Sequence, residues 1–137
     1  MIFDFYVPGE PIRTTAQEGH RIARGRYYTD PRVKAARQEL LAELRPYAPK
    51  EPLKNPIHLR IDFHFGTEDI KKHGCWKVTR PDTDNLLKLL KDCMTEAGFW
   101  RDDAQVCMEV TSKTWVPPDE ACTRIQLYPL QTHGGDD

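Results

Sequence analysis

"IHLRIDFHF" occupies residues 57–65. Apolar Ile57, Leu59, Ile61, Phe63 and Phe65 alternate without a break with His58, Arg60, Asp62 and His64. A period of two places the first set on one side of a β-strand and the second on the other. The pattern predicts a half-buried strand with one wet side, and the apolar side needs a covering layer. His58 and His64 are six positions apart, about 20 Å along a strand. They read as surface residues rather than as joint metal ligands.

The covering layer is legible on both sides of this strand. Upstream, "PRVKAARQELLAELRPY" (31–47) follows Asp30, with proline at the first helical position and Pro46 as its stop. Downstream, a helix begins at Asp82 or Asp84 and runs to Ala97. Leu86, Leu87, Leu89, Leu90, Cys93, Met94 and Ala97 form its apolar side, and Gly98 suits the position after its end. "IFDFYV" (2–7), "QVCMEVTSKTWV" (105–116) and "CTRIQLYPL" (122–130) read as further strands, the last two joined by "PPDEA". Residues 9–29 and 66–81 read as long basic loops. The order β-α-β-α-β-β predicts an α+β domain with helices packed on one mixed or antiparallel sheet.

The chain has 137 residues, 39% of them hydrophobic and 30% charged. That length suits one core. Residues 1–130 are expected to form the domain and 131–137 a disordered tail. No run is apolar and long enough to span a bilayer. The start, "MIFDFYVPGEP", lacks the basic and apolar regions of a secretory signal, so a cytoplasmic protein without a membrane partner is expected. Cys75, Cys93, Cys107 and Cys122 contain no C-x-x-C and read as reduced, packed thiols.

Net charge is only −1, but its distribution is uneven. Arg21, Arg24 and Arg26 lie beside Tyr27 and Tyr28. Lys71, Lys72, Lys77 and Arg80 surround Trp76, with no acid between residues 71 and 80. Charge with interleaved aromatic rings suits a nucleic-acid contact, with phosphates on the cations and unpaired bases on the rings. Lys113, on a following strand, is a further candidate. Ordinary solvated loops are the plainer reading.

Directly after the second basic stretch comes "RPDTDNLLKLLKDCMTEAGFWRDDAQV" (80–106). An aspartate before a helix is an ordinary N-cap, favoured by the helix dipole. Only one of Asp82 and Asp84 can hold that place, and the other adds repulsion unless a cation lies between them. Mg²⁺ or Mn²⁺ takes hard oxygen ligands and promotes phosphodiester hydrolysis. A third carboxylate is nearest at Asp102 or Asp103. A helix from 84 to 97 is about 20 Å long, and residues 98–103 extend about as far. "GFWRDD" therefore reaches back only by running along the helix, with Phe99 and Trp100 packed against it. A second subunit completing the site would relax this constraint. Lys88 lies one helical turn after Asp84 and Asp92 one turn after Lys88. These are either exposed i,i+4 pairs or an ammonium placed to stabilise charge on a phosphate.

Taken together, "RPDTDNLLKLLKD…GFWRDDAQV" resembles the RusA family of Holliday junction resolvases, found in bacteria and their prophages. The resemblance rests on Asp82, Asp84, Asn85, Lys88, Asp92, Gly98, Asp102, Asp103, Ala104 and Gln105. It implies a homodimeric, Mg²⁺- or Mn²⁺-dependent endonuclease that cuts four-way DNA junctions by paired, symmetric nicks. The family's essential carboxylates fall on Asp82, Asp84 and Asp103, and its essential lysine on Lys88. Two other readings are a less selective nuclease of branched DNA and a non-catalytic module that binds DNA structures.

Overall fold

The structure, a computed structural model, describes residues 2–12, 20–23, 26–29 and 31–132. Its centre is a four-stranded mixed sheet of β1 (Phe3–Pro8), β4 (Ile57–Gly66), β5 (Val106–Val116) and β6 (Cys122–Pro129), in the order β1-β6-β4-β5. β6 pairs antiparallel with both β1 and β4, whereas β4 and β5 run parallel. Two helices, α1 (Pro31–Leu44) and α2 (Thr83–Ala97), complete the domain. The α+β class, the mixed sheet and the order of its main elements agree with the sequence reading. β5 and β6 are joined through a short turn at Pro118–Glu120 but are not neighbours, because β4 lies between them.

The alternation in β4 decides which side the helices cover. Ile57, Leu59, Ile61, Phe63 and Phe65 are all buried, in one cluster with Leu40 and Leu44 of α1 and Leu86, Leu89, Leu90, Cys93 and Met94 of α2. Burying each such side chain contributes about 1.5–3 kcal/mol, so the α2 stripe is the main attachment of that helix. Arg37 of α1 also pairs with Glu96 of α2 at 2.6 Å. α2 ends at Gly98, whose φ of 94° is left-handed and whose N–H donates to the carbonyls of Met94 and Thr95.

Three expectations change. The other side of β4 is less wet than its polar letters suggest, because β4 has strands on both flanks. Asp62 is buried there. Burial opposes its charge, but hydrogen bonds from Ser112 and Arg60 prevail and hold its carboxyl below the usual range. His64 Nδ1 lies 2.9 Å from Thr114 Oγ1, and His58 packs against Tyr128, so neither histidine is a plain surface residue. Part of the 9–29 stretch is not loop: β2 (His20–Ala23) and β3 (Arg26–Thr29) form an antiparallel hairpin. Ile22, Tyr27, Tyr28 and Thr29 are β-formers, a signal that the cluster of arginines and glycines obscured. Finally, Cys75 and Cys107 are exposed, while Cys93 is buried and Cys122 half-buried, and all four are free. Asp30 and residues 133–137 lie outside the described residues.

Candidate active site

α2 begins at Thr83, with Asp82 at its N-cap. The Asp82 side chain makes no capping bond, so the ordinary role of such an aspartate is not taken up. Asp84 sits in the first turn and is exposed, as is Asp82. Among the described residues, neither carboxylate has a hydrogen-bond or ion-pair partner within the chain, and neither has Lys88 one turn on.

The far half of the motif is held by the segment that follows α2. Phe99 and Trp100 are completely buried, Phe99 against the rings of Phe3 and Phe5, and Trp100 Nε1 donates to Thr95 Oγ1 at 2.7 Å. The chain thus returns along the helix by burying two aromatic residues, as the extended length of "GFWRDD" requires. A turn at Asp103–Gln105 then leads into β5.

Within that turn the paired aspartates have different roles. Asp102 Oδ1 accepts the Ala104 N–H at 2.9 Å. Gln105 Oε1 accepts the N–H groups of Arg101 and Asp102 at 2.9 and 3.0 Å, completing a capping box. Gln105 Nε2 donates to the carbonyls of Leu53 and Asn55 at 2.9 and 3.0 Å. The first aspartate and the glutamine of "DDAQ" are therefore structural, and the carboxylate of Asp103 is left without an intrachain partner among the described residues.

Asp103 lines a cleft of about 160 Å³ together with Asp84, Leu87, Lys88, Lys91 and Glu109. The structure thus brings three of the four sequence candidates together, Asp84, Lys88 and Asp103. Asp82 does not line this cleft. Glu109 does, from β5, where it lies 3.4 Å from Lys91. Sequence reasoning missed both Lys91 and Glu109. The signal for Lys91 was its helical spacing, three residues after Lys88 and seven after Asp84; that for Glu109 lay in the register, which aligns it with Leu59 on the helix-covered side of the sheet.

The donor set can be tested against a divalent ion. Asp84, Asp103 and Glu109 are hard oxygen ligands of the kind Mg²⁺ and Mn²⁺ take, and Mg²⁺ typically needs only one or two carboxylates besides water and substrate phosphate. The cleft meets that requirement. Among the described residues, no three His, Cys, Asp or Glu side chains close into a ligand cluster, so Asp82, Asp84 and Asp103 do not form a ready three-carboxylate cage.

The basic loop before Asp82 divides sharply. Lys71, Lys72 and Arg80 are exposed. Trp76 is 71% exposed, and Ile70 and Val78 are more so, three apolar side chains raised from a cationic loop. Lys77, read as a DNA contact, is instead buried at 4% exposure. Its Nζ donates to the carbonyls of Thr79 and Arg80, and it lies over the rings of Trp115 and Phe65. Lys113 is also committed internally, to the carbonyls of Thr79 and Pro81, both at 2.8 Å. Arg21 and Arg26 fall on the β2 and β3 strands, and Arg24 lies outside the described residues.

Comparison with known proteins converges on the same region. The family model described as Endodeoxyribonuclease RusA matches residues 8–127, which include both halves of the site. A protein of Lactococcus phage r1t named crossover junction endodeoxyribonuclease rusA is 32% identical over 109 residues, 77% of this chain and 83% of its own length. The Escherichia coli protein named crossover junction endodeoxyribonuclease RusA is 32% identical over 87 residues, 64% of each chain. A namesake from Enterobacteria phage 82 is 41% identical over 54 residues, 39% of this chain and 37% of its own. A family match over most of the chain, together with the phage relative, establishes that this chain belongs to the RusA family of endodeoxyribonucleases.

Proposed function

We propose that this chain resolves four-way DNA junctions as a Mg²⁺- or Mn²⁺-dependent endonuclease, acting as a homodimer that makes paired, symmetric nicks. The observation that carries the proposal is the contrast between neighbouring side chains. Asp102 and Gln105 are fully engaged in holding the backbone, while Asp84, Asp103 and Lys88 converge on one cleft with no intrachain partner among the described residues. Stability alone gives no reason to gather them there.

Asp84 and Asp103, with Asp82 close by in sequence, would hold the metal. A bound divalent ion would supply Lewis-acid stabilisation of the phosphate and a more acidic water. The chain's own contribution is placement and charge. Lys88 donates from its ammonium to a phosphate oxygen and opposes the negative charge that grows there during attack. Lys71, Lys72 and Arg80 bind backbone phosphates, and Trp76 stacks on an unpaired base at the branch point. A two-fold dimer presents two such clefts to two equivalent strands.

The test is cleavage of a labelled mobile four-way junction with Mg²⁺, with Mn²⁺ and with EDTA. Symmetric paired products with either metal and none with EDTA are expected. Folded, junction-binding protein that nicks with neither metal would reduce the chain to a DNA-binding module. Equal cleavage of three-way and four-way substrates would instead favour a less selective branched-DNA nuclease.

A further inference from the structure

We infer that Lys77 and Lys113 are positioning residues that fix the approach of the backbone to Asp82 and Asp84. The inference rests on reading those carboxylates as part of a metal-dependent site.

Residues 79–81 precede the first turn of α2 and lie outside every strand, so their carbonyls have no ladder or helix to accept from. Thr79 and Arg80 are exposed and Pro81 is buried, and a backbone carbonyl needs a partner, from the protein or from water. Here two ammonium groups do it. Lys77 Nζ donates to Thr79 O at 3.3 Å, Thr79 Oγ1 at 2.6 Å and Arg80 O at 2.5 Å. Lys113 Nζ donates to Thr79 O and Pro81 O, both at 2.8 Å. Three consecutive carbonyls, ending at the residue before Asp82, are thus held by charge-assisted bonds, which are stronger than neutral ones.

The two lysines are themselves rigidly placed. The Lys77 N–H donates to the Lys113 carbonyl at 3.0 Å, and the Trp115 N–H donates to the Cys75 carbonyl at 2.9 Å, so residues 75–77 are tied to β5. Lys113 aligns with Phe63 on the side of the sheet that the helices cover. Lys77 Nζ lies 4.6 Å from the Trp115 ring centroid and 5.1 Å from that of Phe65, contacts that offset part of the cost of burying its charge. An ammonium has three N–H donors, and these three bonds engage all of them in Lys77. It has no donor left for a phosphate, although its place in a basic loop suggests one.

This arrangement supplies what Asp82 and Asp84 lack. Their carboxylates make no intrachain bonds among the described residues, so only the backbone fixes them. That backbone is fastened to β5, the same strand that carries Glu109 and follows the turn Asp103–Gln105. One strand therefore sets the spacing of both halves of the site.

The test compares the full-length wild type with Lys113→Met and Lys77→Met, which keep much of the stem and remove the ammonium. With Mg²⁺ and a four-way junction, each variant should lose about 10²-fold in kcat, the scale of a misplaced catalytic geometry, with KM and the salt dependence of binding nearly unchanged. Nuclear magnetic resonance of the free protein supplies an independent readout. The carbonyl carbons of Thr79 and Pro81, detected through the amides of Arg80 and Asp82, should shift in Lys113→Met as their hydrogen bonds are lost. A loss confined to KM with a reduced salt slope would make these residues phosphate ligands and overturn the inference, as would unchanged carbonyl shifts. If Lys77→Met does not fold, Lys113→Met carries the test alone. The carbonyl shifts need neither DNA nor metal, so a wild type that cut nothing would sink the nuclease reading while the clamp was still decided.

Discussion

Asp102 and Asp103 are adjacent in the chain and serve different ends. The Asp102 carboxylate accepts the Ala104 amide at 2.9 Å, whereas Asp103 shares a cleft with Asp84. Substitution should separate these roles. Asp103→Asn and Asp84→Asn are expected to abolish metal-dependent nicking while leaving the denaturation midpoint near wild type and junction binding intact or stronger. Asp102→Ala should do the reverse, lowering stability by about 1 kcal/mol through the lost cap while folded protein still cuts. Paired urea titrations and junction-cleavage assays check both; full cleavage by Asp84→Asn would remove it from the metal site.

Gln105 makes bonds with both ends of its side-chain amide, to the turn and to the 53–55 connector. Gln105→Ala strands several backbone groups and should cost about 1–3 kcal/mol. The same variant should lower activity by loosening Asp103, visible as a fall in kcat larger than any change in junction affinity.

Lys88 lines the cleft and has no partner to lose among the described residues. Lys88→Met should leave folding unchanged and reduce kcat about 10²-fold or more, as loss of one transition-state donor does. Unaltered turnover at saturating junction would show that the ammonium does not meet the reacting phosphate.

Trp76 is mostly exposed, so Trp76→Ala should change stability by no more than about 0.5 kcal/mol. If its ring stacks on a branch-point base, junction affinity falls by about 1–3 kcal/mol and affinity for uninterrupted duplex stays nearly constant. Gel-shift titrations on the two substrates provide the comparison.

The thiols give a structural check independent of DNA. Burial pushes Cys93 up from 9.0 to about 11, so it should resist alkylation at pH 8 while exposed Cys75 and Cys107 react. A pKa raised in the folded state stabilises it fully below the unfolded value. That contribution disappears as pH rises from about 9 through about 11. Chemical denaturation of Cys93→Ala beside wild type across that window should show the weaker pH dependence in the variant.

Much of this was legible in the sequence because the signals were local. The alternation of Ile57 to Phe65 marked the core side of β4, the leucine stripe marked α2, and Gly98 marked its end. The family motif pointed to Asp84, Lys88 and Asp103, which share one cleft, and to Asp82, which does not line it. What escaped depended on distant neighbours. Lys77 looked like a phosphate ligand because charge in a loop usually faces water; the rings of Trp115 and Phe65 and the carbonyls of Thr79 and Arg80 explain its burial. Glu109 carried no signal in the sequence; the parallel register puts it on the helix-covered side of β5, where it lines the cleft with Asp103. Asp62 carried a polar letter on a strand whose two flanking strands no local pattern reveals.

The parallel pairing of β4 with β5 has a consequence for how the protein matures. About 40 residues, α2 among them, must be traversed before those strands can meet, and closing such a loop is costly in entropy and slow. Asp84 belongs to the crossover and Asp103 to its far end, so the cleft exists only after that step. A nascent or partly folded chain, even with α2 formed, therefore still lacks the assembled cleft.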